Sequence, residues 1–324
     1  MKRLAITATL LASSVLTAQT PSAVSSDPEP DAKHPARLVE IAVPSHGEQL
    51  LGALYLAAGV TPHPTVILNH GFPGFEQNLD LAQALRREGY NVLAVHYRGS
   101  WGVKGAFSYT HALEDADAEV AWITSPENAT KYNVDSHRIV LIGHSLGGFI
   151  AASATAHNPG VAAAVLISSA SIGHRFADAE PADREKAIAS YVDKANPVEF
   201  LALAGTSPAS LGEESFDHRR DWELYNFAPA IGKRPVLLIT ANDGTGPNSE
   251  ALKQALQRKG NSQVQHVEIA TDHSFSDHRI ALEAAILSWL EKQAVLRASS
   301  LKDTSSIRII DDPICESGSF HCAS

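Results

Sequence analysis

The stretch Arg138-Ile139-Val140-Leu141-Ile142-Gly143-His144-Ser145-Leu146-Gly147-Gly148-Phe149-Ile150-Ala151-Ala152 decides the reading of this chain. Four consecutive apolar residues, three of them β-branched, predict a strand buried on both faces of a parallel sheet. After Ser145 come two glycines and an alanine-rich apolar run, so the backbone passes from strand to helix within a very short connection. Small residues two before and two after the serine allow close backbone approach, and the turn lifts the Ser145 hydroxyl above the sheet edge. A helix starting beside Ser145 aims its N-terminal amides at the same point, where a developing negative charge would be stabilised. G-x-S-x-G alone is a weak signal. Its weight comes from its place between a buried strand and an apolar helix, and from whether an acid, a base and an oxyanion site accompany it.

Outward from this turn the chain alternates strand-like and helix-like runs. Residues 38–43 and 50–56, joined by the turn-like Ser45-His46-Gly47, predict an antiparallel hairpin. Strands follow at 65–69, 90–97, 161–168, 235–240 and 264–270, and helices at 77–88, 113–124, 249–258 and 278–293. This order predicts an α/β fold: a mainly parallel sheet with helices on both faces. Between about 170 and 232 the alternation lapses, and charged residues mix with Phe176, Tyr191, Phe200, Phe216, Trp222, Tyr225 and Phe227. Because the insertion falls where a connection crosses the carboxyl ends of the strands, it predicts a helical cap over the site. The competing reading is a peripheral decoration with its own satellite core.

The partners of Ser145 are sought at other carboxyl strand ends. The strand 65–69 runs into His70-Gly71-Phe72-Pro73-Gly74, a tight loop whose amides can face the site. The amides of Phe72 and Leu146 are the candidate oxyanion hole, and His70 is expected to brace the loop rather than act as a base. Asp243, in Ala241-Asn242-Asp243-Gly244-Thr245, is the candidate acid. The preceding strand end, Ser169-Ala170-Ser171, offers no carboxylate. In Ala270-Thr271-Asp272-His273-Ser274-Phe275, His273 is the candidate base; Asp272 is too close in sequence to orient it, and His278 belongs to the helix start. His144 and His96 carry no ligand spacing. There is no H-E-x-x-H and no cysteine–histidine cluster, so no metal or other cofactor is expected.

The chain order Ser145, Asp243, His273 on strand-end loops resembles the α/β-hydrolase superfamily, over about residues 37–295. The His70-Gly71-Phe72-Pro73 loop, the Ser145 turn, the Asp-His-Ser-Phe loop and Tyr97-Arg98-Gly99-Ser100-Trp101-Gly102 are similar to its serine esterase and prolyl-oligopeptidase-like (dienelactone-hydrolase-like) branches. That resemblance implies ester, thioester or amide hydrolysis. Serine at the turn argues against epoxide hydrolases and dehalogenases, which carry Asp there.

The ends of the chain suggest export. Met1-Lys2-Arg3 followed by an uncharged apolar run from 4 to 16 predicts a signal peptide over 1–18, too short to span a bilayer. Residues 19–36 read as a Pro- and Ser-containing linker, 37–295 as the hydrolase domain, and 296–324 as a tail. In an exported chain Cys315 and Cys322 of that tail predict a disulfide, and Asn128-Ala129-Thr130 is a sequon. A net charge of −10 with no basic cluster beyond Arg219-Arg220 and the first residues excludes a nucleic-acid partner, and no stable membrane insertion is expected once the signal is removed.

The expected activity is therefore an exported serine hydrolase cleaving small carboxylic esters. A peptidase or amidase and a non-catalytic binding protein of the same fold are the alternatives. Phe72 and Trp101 are expected to border the substrate with aromatic faces. Charges such as Arg175, Asp178 and Glu180 argue for a compact pocket of mixed polarity instead of a wide lipid channel.

Overall fold

The computed structural model describes residues 20–296; the expected signal peptide and the Cys315/Cys322 pair lie outside them. The chain enters through a short helix, α1 (Ser22–Ser25), within the segment expected as a bare linker. Ala23 is buried there, and the Arg87 guanidinium donates from Nε to the Ala23 carbonyl at 2.5 Å, so part of this segment is docked on the domain.

There follow β1 (Arg37–Ser45), β2 (Glu48–Leu56), β3 (His63–Asn69), α2 (Leu79–Arg87), β4 (Asn91–Val95), α3 (Tyr109–Thr124), α4 (Pro126–Lys131), β5 (Val134–His144) and α5 (Leu146–His157). After β6 (Val161–Ile167) come the cap helices α6 (Arg184–Asp193) and α7 (Pro208–Asp217). Then α8 (Ala228–Ile231), β7 (Val236–Thr240), α9 (Gly246–Arg258), β8 (Val264–Glu268) and α10 (Arg279–Lys292) complete the domain.

The strands form one sheet in the order β1-β2-β4-β3-β5-β6-β7-β8, with β1–β2 and β2–β4 antiparallel and every later pairing parallel. Successive side chains of the central strands feed two cores, as the period of two requires. Val66, Val140, Val165 and Leu237 pack on one face with Leu81 and Leu85 of α2 and Leu282 and Ile286 of α10. Their neighbours Ile67, Leu141, Leu166 and Leu238 pack on the other with Ala112 of α3, Phe149 of α5 and Leu252 of α9. Burial on both faces explains why these strands read as continuous apolar runs. The same holds for α5, whose residues 146–155 are all buried. β8 lies at the sheet edge, with Gln265 and His266 exposed. No helix among the described residues is long and apolar enough to cross a membrane.

The insertion divides in a way composition does not reveal. Phe176, Ile188 and Phe216 form a small core of the cap, with Tyr191 packed against it. Trp222, Leu224, Ala228 and Ile231 instead belong to the main core, so the stretch nearest 232 is domain rather than cap. Glu214 of α7 ties the two together by accepting from the Tyr109 and Thr110 amides, both at 2.8 Å, and from Thr110 Oγ1 at 2.6 Å. A carboxylate at the N-terminus of α3 meets free amides and a favourable dipole end. The sequon residue Asn128 sits in α4 and donates its side-chain nitrogen to the Trp122 carbonyl at 2.9 Å.

The loop after β4 is fixed by a buried ion pair. Asp115 of α3 accepts from the Arg98 amide at 2.8 Å, Arg98 Nε at 2.6 Å and Ser45 Oγ at 2.6 Å. Arg98 Nη2 also donates to Glu114 Oε2 at 2.5 Å, so removing Asp115 leaves the guanidinium one carboxylate but strands three buried donors, the Arg98 amide, Arg98 Nε and Ser45 Oγ, at a cost of about 3–5 kcal/mol in all. Asp115→Ala is therefore expected to lower the unfolding free energy by about that amount in urea titration; an unchanged midpoint at unchanged slope would contradict this.

Candidate active site

The turn between β5 and α5 is tight for a reason visible in its glycines. A Cβ on Gly143 would lie 1.9 Å from the Gly147 carbonyl oxygen, and one on Gly147 would lie 2.0 Å from the Asn69 carbonyl oxygen. No side chain fits either place. Ser145 between them adopts φ 57° and ψ −118°, a conformation that costs a non-glycine residue about 1–3 kcal/mol and persists only where its surroundings impose it. Those surroundings include four backbone bonds: the Ser145 amide donates to Ile167 O at 2.9 Å, and its carbonyl accepts from Gly148 and Ala170, both at 3.0 Å, and from Phe149 at 3.4 Å.

The loop after β3 lies directly against this turn, close enough that a Cβ on Gly71 would come within 3.1 Å of Ser145 Cβ. Among the described residues the amides of Phe72 and Leu146 have no hydrogen-bond partner. Leu146 is the first residue of α5, where amides are necessarily free of intrahelical acceptors. Both residues border the cavity that holds Ser145.

Asp243 and His273, thirty residues apart in sequence, meet at 2.7 Å between Asp243 Oδ2 and His273 Nδ1. A carboxylate can only accept, so Nδ1 carries the proton and Nε2 is left as the free base. Asp243 Oδ1 also accepts from Thr245 N at 2.9 Å and Thr245 Oγ1 at 2.7 Å. Burial alone would raise this carboxyl, but the bonds from Thr245 and His273 outweigh it and hold Asp243 at about 2. Ser145 and His273 line one cavity without a direct hydrogen bond between them, and such contacts often tighten only when substrate is present. Asp272 is occupied elsewhere, accepting from Ser276 N at 2.9 Å, and His278 flanks α10 beside Asp277.

Two buried histidines support the site. His70 Nδ1 donates to Gly71 O at 2.7 Å, and its bare Nε2 faces His96 Nδ1 at 3.3 Å, so it braces the loop. His144, which spacing left without a role, donates from Nε2 to the His273 carbonyl at 2.7 Å and lies with its ring 4.7 Å from the His273 ring. It fixes the backbone of the candidate base from within the turn that carries the candidate nucleophile. Burial lowers both His70 and His144 to about 4.

The cavity above Ser145 holds about 760 Å³, enough for a small organic substrate. Phe72 and Phe200 close one side, and Phe176 and Tyr191 of the cap another. Trp101, expected to touch substrate, does not line it. Its indole nitrogen donates to Pro73 O at 2.7 Å and its ring meets Phe75 edge-on at 5.3 Å. The bond ties the indole to the loop that carries Phe72, so Trp101 braces that loop.

With the strand order and the Ser145 turn in view, comparison with known proteins fits the same picture. The sequence pattern of the alpha/beta hydrolase family matches residues 66–285. The chain belongs to the alpha/beta hydrolase family. Among solved structures it is similar to an esterase from Pyrococcus furiosus, with 18% identity and a TM-score of 0.58 over 82% of this chain and 97% of that one. An esterase from Pyrobaculum calidifontis follows at 22% identity and TM-score 0.56, over 82% and 87% of the two chains. An acylaminoacyl peptidase from Pyrococcus horikoshii gives 18% identity and TM-score 0.57, over 79% of this chain but 41% of that one. At such identities the likeness is one of fold. No curated protein matches the chain significantly.

The buried imidazoles set an acid response. Their folded-state values lie below the ordinary 6.5, so the unfolded chain binds more protons between pH 6.5 and 4. Their contribution is complete above pH 6.5 and is lost as pH falls toward 4, by up to about 3 kcal/mol per histidine. Urea unfolding from pH 7 to 4.5 is expected to show this decline. His144→Gln, which keeps a donor near the His273 carbonyl, should make the decline shallower; identical slopes in both proteins would contradict the assignment.

Proposed function

We propose that this protein is a serine hydrolase that cleaves small carboxylic esters through an acyl-enzyme. The observation that carries the reading is the Asp243–His273 pair, which leaves an unprotonated imidazole nitrogen in the cavity that holds a strained, solvent-facing serine beside two free amides.

In this mechanism Ser145 Oγ attacks the ester carbonyl while His273 Nε2 takes its proton. The carbonyl oxygen becomes an oxyanion held by the Phe72 and Leu146 amides, a contribution of about 10²–10³ in rate per donor. His273 returns the proton to the departing alcohol, and water, activated by the same nitrogen, releases the acid. Asp243 keeps its charge throughout, because it is held at about 2, and stabilises the imidazolium that forms. Phe72 and the cap aromatics favour an apolar or ring-bearing group near the bond, in a pocket of limited volume. Residues 1–18 suggest that the enzyme works outside the cytoplasm.

Ser145→Ala is expected to lower kcat for a short-chain 4-nitrophenyl ester by about 10⁴-fold or more while the urea midpoint stays near that of the wild type. Turnover at the wild-type rate would end the reading. Rapid cleavage of aminoacyl anilides with negligible ester turnover would move the assignment to a peptidase.

A further inference from the structure

The cavity carries three charged side chains, Arg175, Lys194 and Glu199, all from the cap. Two cations against one carboxylate is unexpected in a chain of net charge −10. The other cap arginines whose contacts are defined have structural uses. Arg184 pairs with Asp217 at 3.2 Å, and Arg219 donates to the Ala179 and Phe216 carbonyls at 3.1 and 2.9 Å. Arg175 and Lys194 form no ion pair with a described carboxylate, and the Arg175 guanidinium donates to no described acceptor. It lies instead over the Tyr191 ring, 4.8 Å from its centroid, which orients the planar fork without consuming its donors.

Two hydroxyls stand beside it. Tyr109 is almost wholly buried, and among the described residues its hydroxyl meets only that of Tyr191, at 3.4 Å. Burial raises Tyr109 well above the usual phenol range, so it remains an O–H donor at any working pH. A guanidinium fork, an ammonium and two phenolic hydroxyls in the lining of one cavity can receive a planar anion. Glu199 is the one opposing charge.

We propose that Arg175, with Lys194 and the Tyr109–Tyr191 hydroxyl pair, is a specificity-determining anion subsite, and that the preferred substrate is an ester carrying a carboxylate away from the bond that is cleaved. This rests on the ester-hydrolase reading and names the substrate class of that same cavity. Glu199 then acts as a counterweight, lowering the affinity of the subsite for anions and admitting neutral esters.

The test compares kcat/KM for matched pairs of esters. In the acyl series these are mono-4-nitrophenyl glutarate and 4-nitrophenyl pentanoate; in the alcohol series, 4-acetoxybenzoate and phenyl acetate. In one series at least, the carboxylate ester is expected to be favoured by about tenfold at low salt, the lower range for a charged hydrogen bond because Arg175 is solvent-accessible. Raising the ionic strength to about 0.5 M should shrink the preference. Arg175→Gln should reduce the anionic-to-neutral ratio about tenfold, and Glu199→Gln should raise it. Because each reading is a ratio within one protein, loss of folded material does not mimic the effect. Neutral esters turned over with no carboxylate preference in either series, or a preference untouched by Arg175→Gln, would overturn the subsite and leave the esterase standing. Absence of turnover in all four esters would overturn the ester-hydrolase reading, and the subsite with it.

Discussion

Three backbones converge at one point: the end of β5, the first turn of α5 and the loop that leaves β3. The contacts there are too close for any Cβ at Gly143 or Gly147. This exclusion of side chains lets Ser145 be held at positive φ, and it sets the Phe72 loop against the serine, so that two free amides and a hydroxyl share a small volume. The sheet supplies rigidity beneath this junction, with residues on both faces of β3, β5 and β6 buried in two separate cores. A strained residue needs such support, because the cost of its backbone must be met by packing around it.

The electrostatics around the junction divide the titratable groups into two sorts. His70 and His144 are buried deeply enough to stay neutral, and each spends its single N–H on a backbone carbonyl, fixing loop geometry without adding charge. The Asp243 carboxylate is nearly covered yet remains ionised, because Thr245 and His273 donate to it. One charge is therefore maintained where it can orient and stabilise an imidazole, and positive charge is kept away from the two braces. The cap adds further charged groups, Arg175, Lys194 and Glu199, to the lining of the cavity that holds the serine.

Much of this was legible in the chain. Doubly buried strands announce themselves as apolar runs, and the turns after them place Ser145, Asp243 and His273 in an order a reader can follow. The pairing of β1 with β2 followed from alternation and a short turn. Other features depend on contacts between distant residues and left no local trace. His144 lacks any ligand spacing because its partner is a backbone carbonyl at 273. Arg98 and Asp115 are buried charges whose meaning lies in each other. Trp101 reads as a substrate contact because aromatic residues on strand-end loops often are, but its indole is bonded to Pro73 and lies outside the cavity lining, a contact with no trace in the local sequence. The end of the cap leaves no local signal, because the sequence from 222 to 231 is irregular in pattern yet contributes Trp222, Leu224 and Ile231 to the main core.

The account stands on the claim that Ser145 is the nucleophile and that His273 makes it one. Treating the folded protein with a fluorophosphonate probe and mapping the modified peptide by mass spectrometry tests both halves together. The account predicts one adduct, on Ser145, formed rapidly in the wild type and lost in heat-denatured protein and in His273→Ala. No adduct on the folded protein, an adduct on another residue, or undiminished labelling of Ser145 in His273→Ala would contradict it.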